Sequence, residues 1–172
     1  MGMDVIGKNP TTETGEYFRN NVWAWRPLWD YCCEVGSDLF SDPTNGHFND
    51  GYGLDGQGAE ILATRLRGEI AAGNTAQYER EYNAHLASLP RHTCQWCNGT
   101  GIRTDEVGVD LGFPSQRLAP EIAAIVGREA GYCNGCSGEG LCDHPDTSYG
   151  FWADNVAEFA AFLADSGGFE IW

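Results

Sequence analysis

The chain has 172 residues, a formal net charge of −15, and 42% apolar and 12% aromatic residues. That length suits one domain, or a domain with a small metal-held module, and the apolar and aromatic content excludes a disordered chain. The charge disfavours direct phosphate or nucleic-acid binding, and no run approaches the roughly 20 apolar residues needed to span a bilayer.

Met3 to Lys8 reads as a short strand closed by the Asn9-Pro10 turn, followed by polar loop over residues 11–16. The densest aromatic stretch comes next, with Tyr17, Phe18, Trp23, Trp25, Trp29 and Tyr31. Pro27 suits the opening of a helix to about Val35, with Leu28, Tyr31, Cys32 and Val35 on one face. Gly36 to Gly58 is rich in Gly, Asp and Asn and reads as an irregular connection with a helix cap at Asp55. Leu62, Leu66 and Ile70 then mark a helix from about Ala59 to Ala72, stopped by Gly73-Asn74. Thr75 can cap a further helix carrying Tyr78, Tyr82 and Leu86, so the two predict an antiparallel hairpin.

An eight-residue pattern, C-x-x-C-x-G-x-G, then appears twice: Cys94-Gln95-Trp96-Cys97-Asn98-Gly99-Thr100-Gly101 and Cys133-Asn134-Gly135-Cys136-Ser137-Gly138-Glu139-Gly140. Two cysteines separated by two residues reach one metal ion from a single turn, and four thiolates complete a tetrahedral zinc site. The glycines permit positive φ, so the chain can reverse beneath the metal and aim backbone N–H groups at the sulfurs. Redox C-x-x-C pairs, disulfides and an iron–sulfur cluster are the competing readings. The 35 residues between the knuckles, Asn98 to Tyr132, exceed the usual loop of about 15–20. They must carry structure of their own: one or two short strands over Ile102–Val109 and a helix from about Pro120 to Ala130. Leu141 to Tyr149 reads as loop. Val156, Phe159, Phe162 and Leu163 mark a last helix from Trp152 to Ala164, and Phe169 to Trp172 a terminal strand whose natural partner is the N-terminal one. The fold class expected is α+β: a small sheet joining the termini, four to five helices and one four-cysteine zinc knuckle subdomain. Residues 94–148 would form that subdomain, and 1–93 with 149–172 the core.

The knuckles resemble the cysteine-rich zinc domain of DnaJ-type co-chaperones, over about 50 of the 172 residues. That family repeats the motif four times and binds two zinc ions; two repeats suffice for one. The resemblance implies Cys94, Cys97, Cys133 and Cys136 as ligands of a structural zinc. The family's His-Pro-Asp signature also occurs, at His144-Pro145-Asp146, but it follows the knuckles and no basic helix precedes it, so it reads as a chance tripeptide. The segments GMDVIGKNP, YFRNNVWAWRPLWDYC and FLADSGGFEIW resemble uncharacterised small proteins of bacteria and their phages, which implies a bacterial or phage cytosolic setting.

Acidic residues outnumber basic ones 13 to 7 over residues 1–93, 8 to 3 over 94–148 and 4 to 0 over 149–172, so no segment offers a basic face. The function expected is therefore a non-enzymatic, zinc-stabilised interaction module whose protein partner has a basic surface. In a phage setting it would inhibit a nucleic-acid-handling or defence protein by occupying its phosphate-binding groove. Trp23, Trp25, Arg26 and Trp29 are the candidate partner-facing anchors, against core packing for the same aromatics. His47, Asp50 and Asp55 would form the catalytic centre of the alternative, a small hydrolase; a DnaJ-like chaperone adaptor is the third class. His92 and His144 flank the knuckles as substitute or outer ligands. Cys32, Cys33 and Cys142 remain unpaired, and the first ten residues lack a basic, apolar leader pattern; both fit a reducing cytosol.

Overall fold

A computed structural model describes residues 2–172. In chain order the elements are β1 (Gly2–Gly7), β2 (Tyr17–Asn21), α1 (Val22–Val35), β3 (Tyr52–Asp55), α2 (Gly56–Ala72), α3 (Asn74–Ser88), β4 (His92–Thr93), α4 (Glu106–Asp110), α5 (Pro120–Val126), β5 (Leu141–Cys142), α6 (Ala153–Ser166) and β6 (Gly168–Ile171). The class is α+β, as expected, with six helices among the described residues rather than four to five. Two compact units emerge: residues up to Ala87 together with Ser148–Trp172, and Ser88–Thr147.

The first unit is built on a four-stranded antiparallel sheet in the order β2-β1-β6-β3. The two terminal strands pair at its centre, with Val5 opposite Ile171. Asp4 and Trp172 exchange both backbone hydrogen bonds at 2.9 and 2.7 Å. Alternation along β1 turns Met3 and Val5 into the core, where α6 lies against α2 and both cover the sheet. Trp25, Trp29, Leu62, Leu66, Phe159, Phe162, Phe169 and Ile171 fill that core and are almost wholly buried. Many of their rings meet at an angle rather than face to face, as with Phe159 on Phe169 at 5.9 Å and 77°, an arrangement that sets positive ring edges on negative faces.

Four sequence expectations are corrected here. The aromatic stretch opens with a strand, β2, and α1 starts at Val22 instead of Pro27. The Asn21 side chain accepts the Ala24 N–H at 2.9 Å and caps the helix early. Pro27 then lies inside the helix, where its missing N–H forfeits one bond near the N-terminus. The Gly-rich connection hides β3. Gly53 belongs there because a Cβ at that position would stand 1.8 Å from the Phe169 carbonyl oxygen of β6. Third, α2 and α3 do not form an antiparallel hairpin. Only Gly73, at φ 80°, joins them, and α3 packs instead through Tyr78 on Tyr31 and Phe151, at 4.8 Å to each, leaving an open groove beside α2. Fourth, residues 106–110 are helix rather than strand, because the Asp105 carboxylate caps the Gly108 N–H at 3.1 Å, and α5 stops at Gly127, four residues short of Gly131.

In the second unit β4 pairs with β5, setting His92 opposite Cys142 and Thr93 opposite Leu141. Among the described residues no helix is long and apolar enough to cross a membrane.

Phe159 touches Phe18, Trp25, Phe162 and Phe169. Phe159→Ala should lower unfolding free energy by about 3–5 kcal/mol, read as a shift in the urea midpoint with an unchanged slope.

Candidate metal centre

Each C-x-x-C-x-G-x-G segment folds as the same double turn. After the second cysteine the backbone takes positive φ at three places: 50°, 82° and 69° at Asn98, Gly99 and Gly101, and 51°, 81° and 80° at Ser137, Gly138 and Gly140. This path brings the N–H of the last glycine onto the second cysteine: Gly101 N donates to Cys97 Sγ at 3.2 Å, and Gly140 N to Cys136 Sγ at 3.1 Å. The two turns stand back to back. A Cβ on Gly101 would come 2.2 Å from the Gly138 carbonyl oxygen, and one on Gly140 2.3 Å from that of Gly99. The closing glycines thus serve the contact between knuckles as well as the reversal within each.

The result is a buried group of four sulfurs, Cys94, Cys97, Cys133 and Cys136, all within 4.8 Å of one another. Cys94 lies 3.8 Å from Cys133 and Cys97 3.7 Å from Cys136. These are no disulfides, and all seven cysteines are free thiols. A tetrahedral ion with metal–sulfur bonds of about 2.3 Å has sulfur–sulfur edges of about 3.8 Å, so the four thiols could hold a metal ion with little adjustment.

Electrostatics favour that use. Burial pushes the Cys133 thiol up to about 12. Cys94 is drawn down to about 7: burial raises it, but hydrogen bonds from the Trp96 N–H, the Cys142 thiol and the Cys97 N–H outweigh burial. Cys94 ionises readily while burial holds Cys133 and Cys136 protonated, unless a cation takes up the charge.

Two arginines at the cluster went unread in the sequence. Arg103 is buried, and its guanidinium grips Asp105 at 2.8 and 3.0 Å, donates to Asn134 Oδ1 at 3.1 Å and lies 4.2 Å over the Trp96 ring. Trp96 and Asn134 are interior residues of the first and second C-x-x-C turns, so one side chain ties both turns together. It is also close enough to Cys133 and Cys94 to feel their charge. Arg128 Nη2 donates to the Gly138 carbonyl at 2.6 Å inside the second knuckle. A signal for both existed: they are two of only three basic residues in the acidic stretch 94–148.

Cys142 packs against the four sulfurs, with its thiol sulfur 3.2 Å from the Gly135 carbonyl oxygen and its one proton shared between that oxygen and Cys94. Neither histidine beside the knuckles belongs to the sulfur group. His92 is exposed on β4, and His144 turns to Asp146 at 3.5 Å. In the first unit Cys32 is buried in the core and Cys33 half-buried on α1. His47 Nε2 pairs with Asp30 at 3.1 Å, a carboxylate outside its own loop. Asp55 caps α2 by accepting the Gly58 N–H at 2.8 Å, and Asp50 is exposed. Of the four residues expected to face a partner, Trp25 and Trp29 are corrected: both are wholly buried, their indole N–H groups bonded to the Gly46 and Pro43 carbonyls. Trp23 and Arg26 are exposed beside Tyr149, at 4.9 and 5.4 Å from its ring.

No family model, curated protein or solved structure matches the chain.

Gly140→Ala meets both a positive φ and the Gly99 carbonyl. Metal affinity, measured by competition with a chromophoric chelator, should fall by about 10–100-fold, the range for lost outer-shell support.

Proposed function

We propose that the protein is a non-enzymatic interaction module, that its second unit folds around a structural zinc ion, and that its partner is a protein with a basic surface. The observation that carries the reading is the closed set of four thiols. Four sulfurs fill the coordination of zinc, so no position remains for a water or substrate, and the metal's part is to hold the fold. Zinc suits the set better than harder ions because thiolate is a soft ligand. Bound there, it would supply folding free energy on the order of 10–16 kcal/mol to a module that buries few apolar side chains besides its cysteines.

The partner's character follows from charge. At −15 with acidic excess along the whole chain, the surface repels phosphate and attracts lysine- and arginine-rich faces, raising the rate of encounter with them. Such faces ordinarily hold nucleic acid. Occupying one would make this chain a competitive inhibitor of a nucleic-acid-handling protein, including one used in defence against foreign DNA.

Purified protein should carry one zinc per chain by elemental mass spectrometry, and Cys133→Ser should lose it. Lowering the pH should weaken zinc binding, since protons compete for every thiolate and burial pushes the Cys133 thiol up to about 12. A copy without metal, or one holding an ion outside the four thiols, would overturn the structural role.

For the partner, a complex captured from cells should weaken at least tenfold between low and moderate salt. A complex indifferent to salt would remove the charge argument.

A further inference from the structure

The groove beside α2 has a composition that neither the metal centre nor the core explains. It lies within the first unit, has a volume of about 800 Å³, and is lined from α1, α2 and α3. Each helix contributes one glutamate: Glu34, Glu69 and Glu81. Among the described residues no lysine or arginine forms an ion pair with any of the three. Two are aligned by neutral amides instead, Glu69 by Asn74 and Glu81 by Gln77, each at 2.8 Å. The arginine of the lining, Arg65, is engaged by Asp38 and by the Val35 carbonyl. The groove therefore carries net negative charge.

Two aromatic rings accompany the carboxylates. Tyr31 and Tyr78 both line the groove, with centroids 4.8 Å apart. Burial first, and then Glu34 nearby, push the Tyr78 hydroxyl up to about 12. The phenol stays neutral, and Tyr78 is half-buried whereas Tyr31 behind it is buried, so the exposed part of the Tyr78 ring is what a cation can meet.

A third observation is independent of charge. Gly68 stands in the interior of α2 and also lines the groove. Glycine is disfavoured inside a helix, and a reason is normally found in a neighbour packed against it. Here a Cβ would meet nothing within 4 Å. No described residue fills that space, so the α2 wall of the groove is open at Gly68.

We infer that this groove docks a basic polypeptide segment of the partner, placing a lysine or arginine side chain against the half-buried Tyr78 ring with its charge among Glu34, Glu69 and Glu81. The methylene stem covers ring surface while the head forms charge-assisted hydrogen bonds to carboxylates. The lining on α3 runs from Asn74 to Glu81, about 10 Å at 1.5 Å per residue, which is room for one or two side chains. The site rests on the reading of a basic partner made above and gives that partner an address.

The test uses the full, metal-loaded chain and a fluorescent peptide of alternating arginine and serine, with a citrulline version as the uncharged control. Anisotropy should show binding of the arginine peptide only. Gly68→Trp, which fills the groove at constant charge, should weaken it at least tenfold. So should the triple change Glu34→Gln, Glu69→Gln and Glu81→Gln, whereas Glu106→Gln, Glu121→Gln and Glu158→Gln together, with the same loss of charge elsewhere, should stay within twofold. Circular dichroism confirms that each variant is folded, and should one groove variant fail to fold, the other decides the question. Equal losses in both triple variants, or wild-type affinity in Gly68→Trp, would overturn the groove while leaving the basic-partner reading intact. Failure of the wild-type chain to bind the arginine peptide even at low salt would count against both. Spermidine displacing the peptide from the groove at equal or lower concentration would overturn the polypeptide assignment in favour of a free polycation.

Discussion

Four thiols brought within 4.8 Å of one another cannot all be ionised unless positive charge stands between or around them, and the second unit is arranged about that constraint. Backbone N–H groups from Gly101 and Gly140 point at two of the sulfurs. Arg103 crosses from Asp105 to Asn134 over the Trp96 ring and brings its guanidinium toward Cys133 and Cys94. Few apolar side chains are buried there besides the cysteines themselves. A module of that size with so little core needs a staple, and the sulfur cluster is the natural place for one.

The first unit solves the opposite problem. Its stability comes from aromatic and aliphatic burial on a small sheet in which the two ends of the chain are paired. With most of the large apolar side chains inside, its acidic residues remain on the surface. Exposed carboxylates at this density repel one another, a cost offset in places by caps and ion pairs such as Asp55 on α2 and Asp38 with Arg65. Among the described residues Glu34, Glu69 and Glu81 lack a lysine or arginine of this kind, so the groove between the helices keeps its negative charge uncompensated.

Sequence patterns found elements wherever the signal was local and periodic. The knuckles, the terminal strands and the faces of α2 and α6 were all legible, because hydrophobic spacing and glycine position act over a few residues. They misled where a distant neighbour decides. Gly53 looks like loop until the Phe169 carbonyl is seen beside it. Residues 106–110 are a local miss instead: Asp105, next to them in the chain, caps the helix, and its carboxylate is held by Arg103 two residues before it. The aromatic run could not be sorted by composition: Trp25 and Trp29 point inward and Trp23 outward, a division set by where α1 meets the core.

The sequence by itself determined the set of four thiols, since two copies of one turn motif dictate a local fold that presents paired cysteines. It likewise determined the charge and the α+β class. Only the tertiary structure decided that the two turns meet through their closing glycines, that Arg103 bridges them, and that α3 leaves α2 to open a groove lined by tyrosine and glutamate. Those outcomes depend on contacts between residues far apart in the chain, whose distances no periodicity encodes.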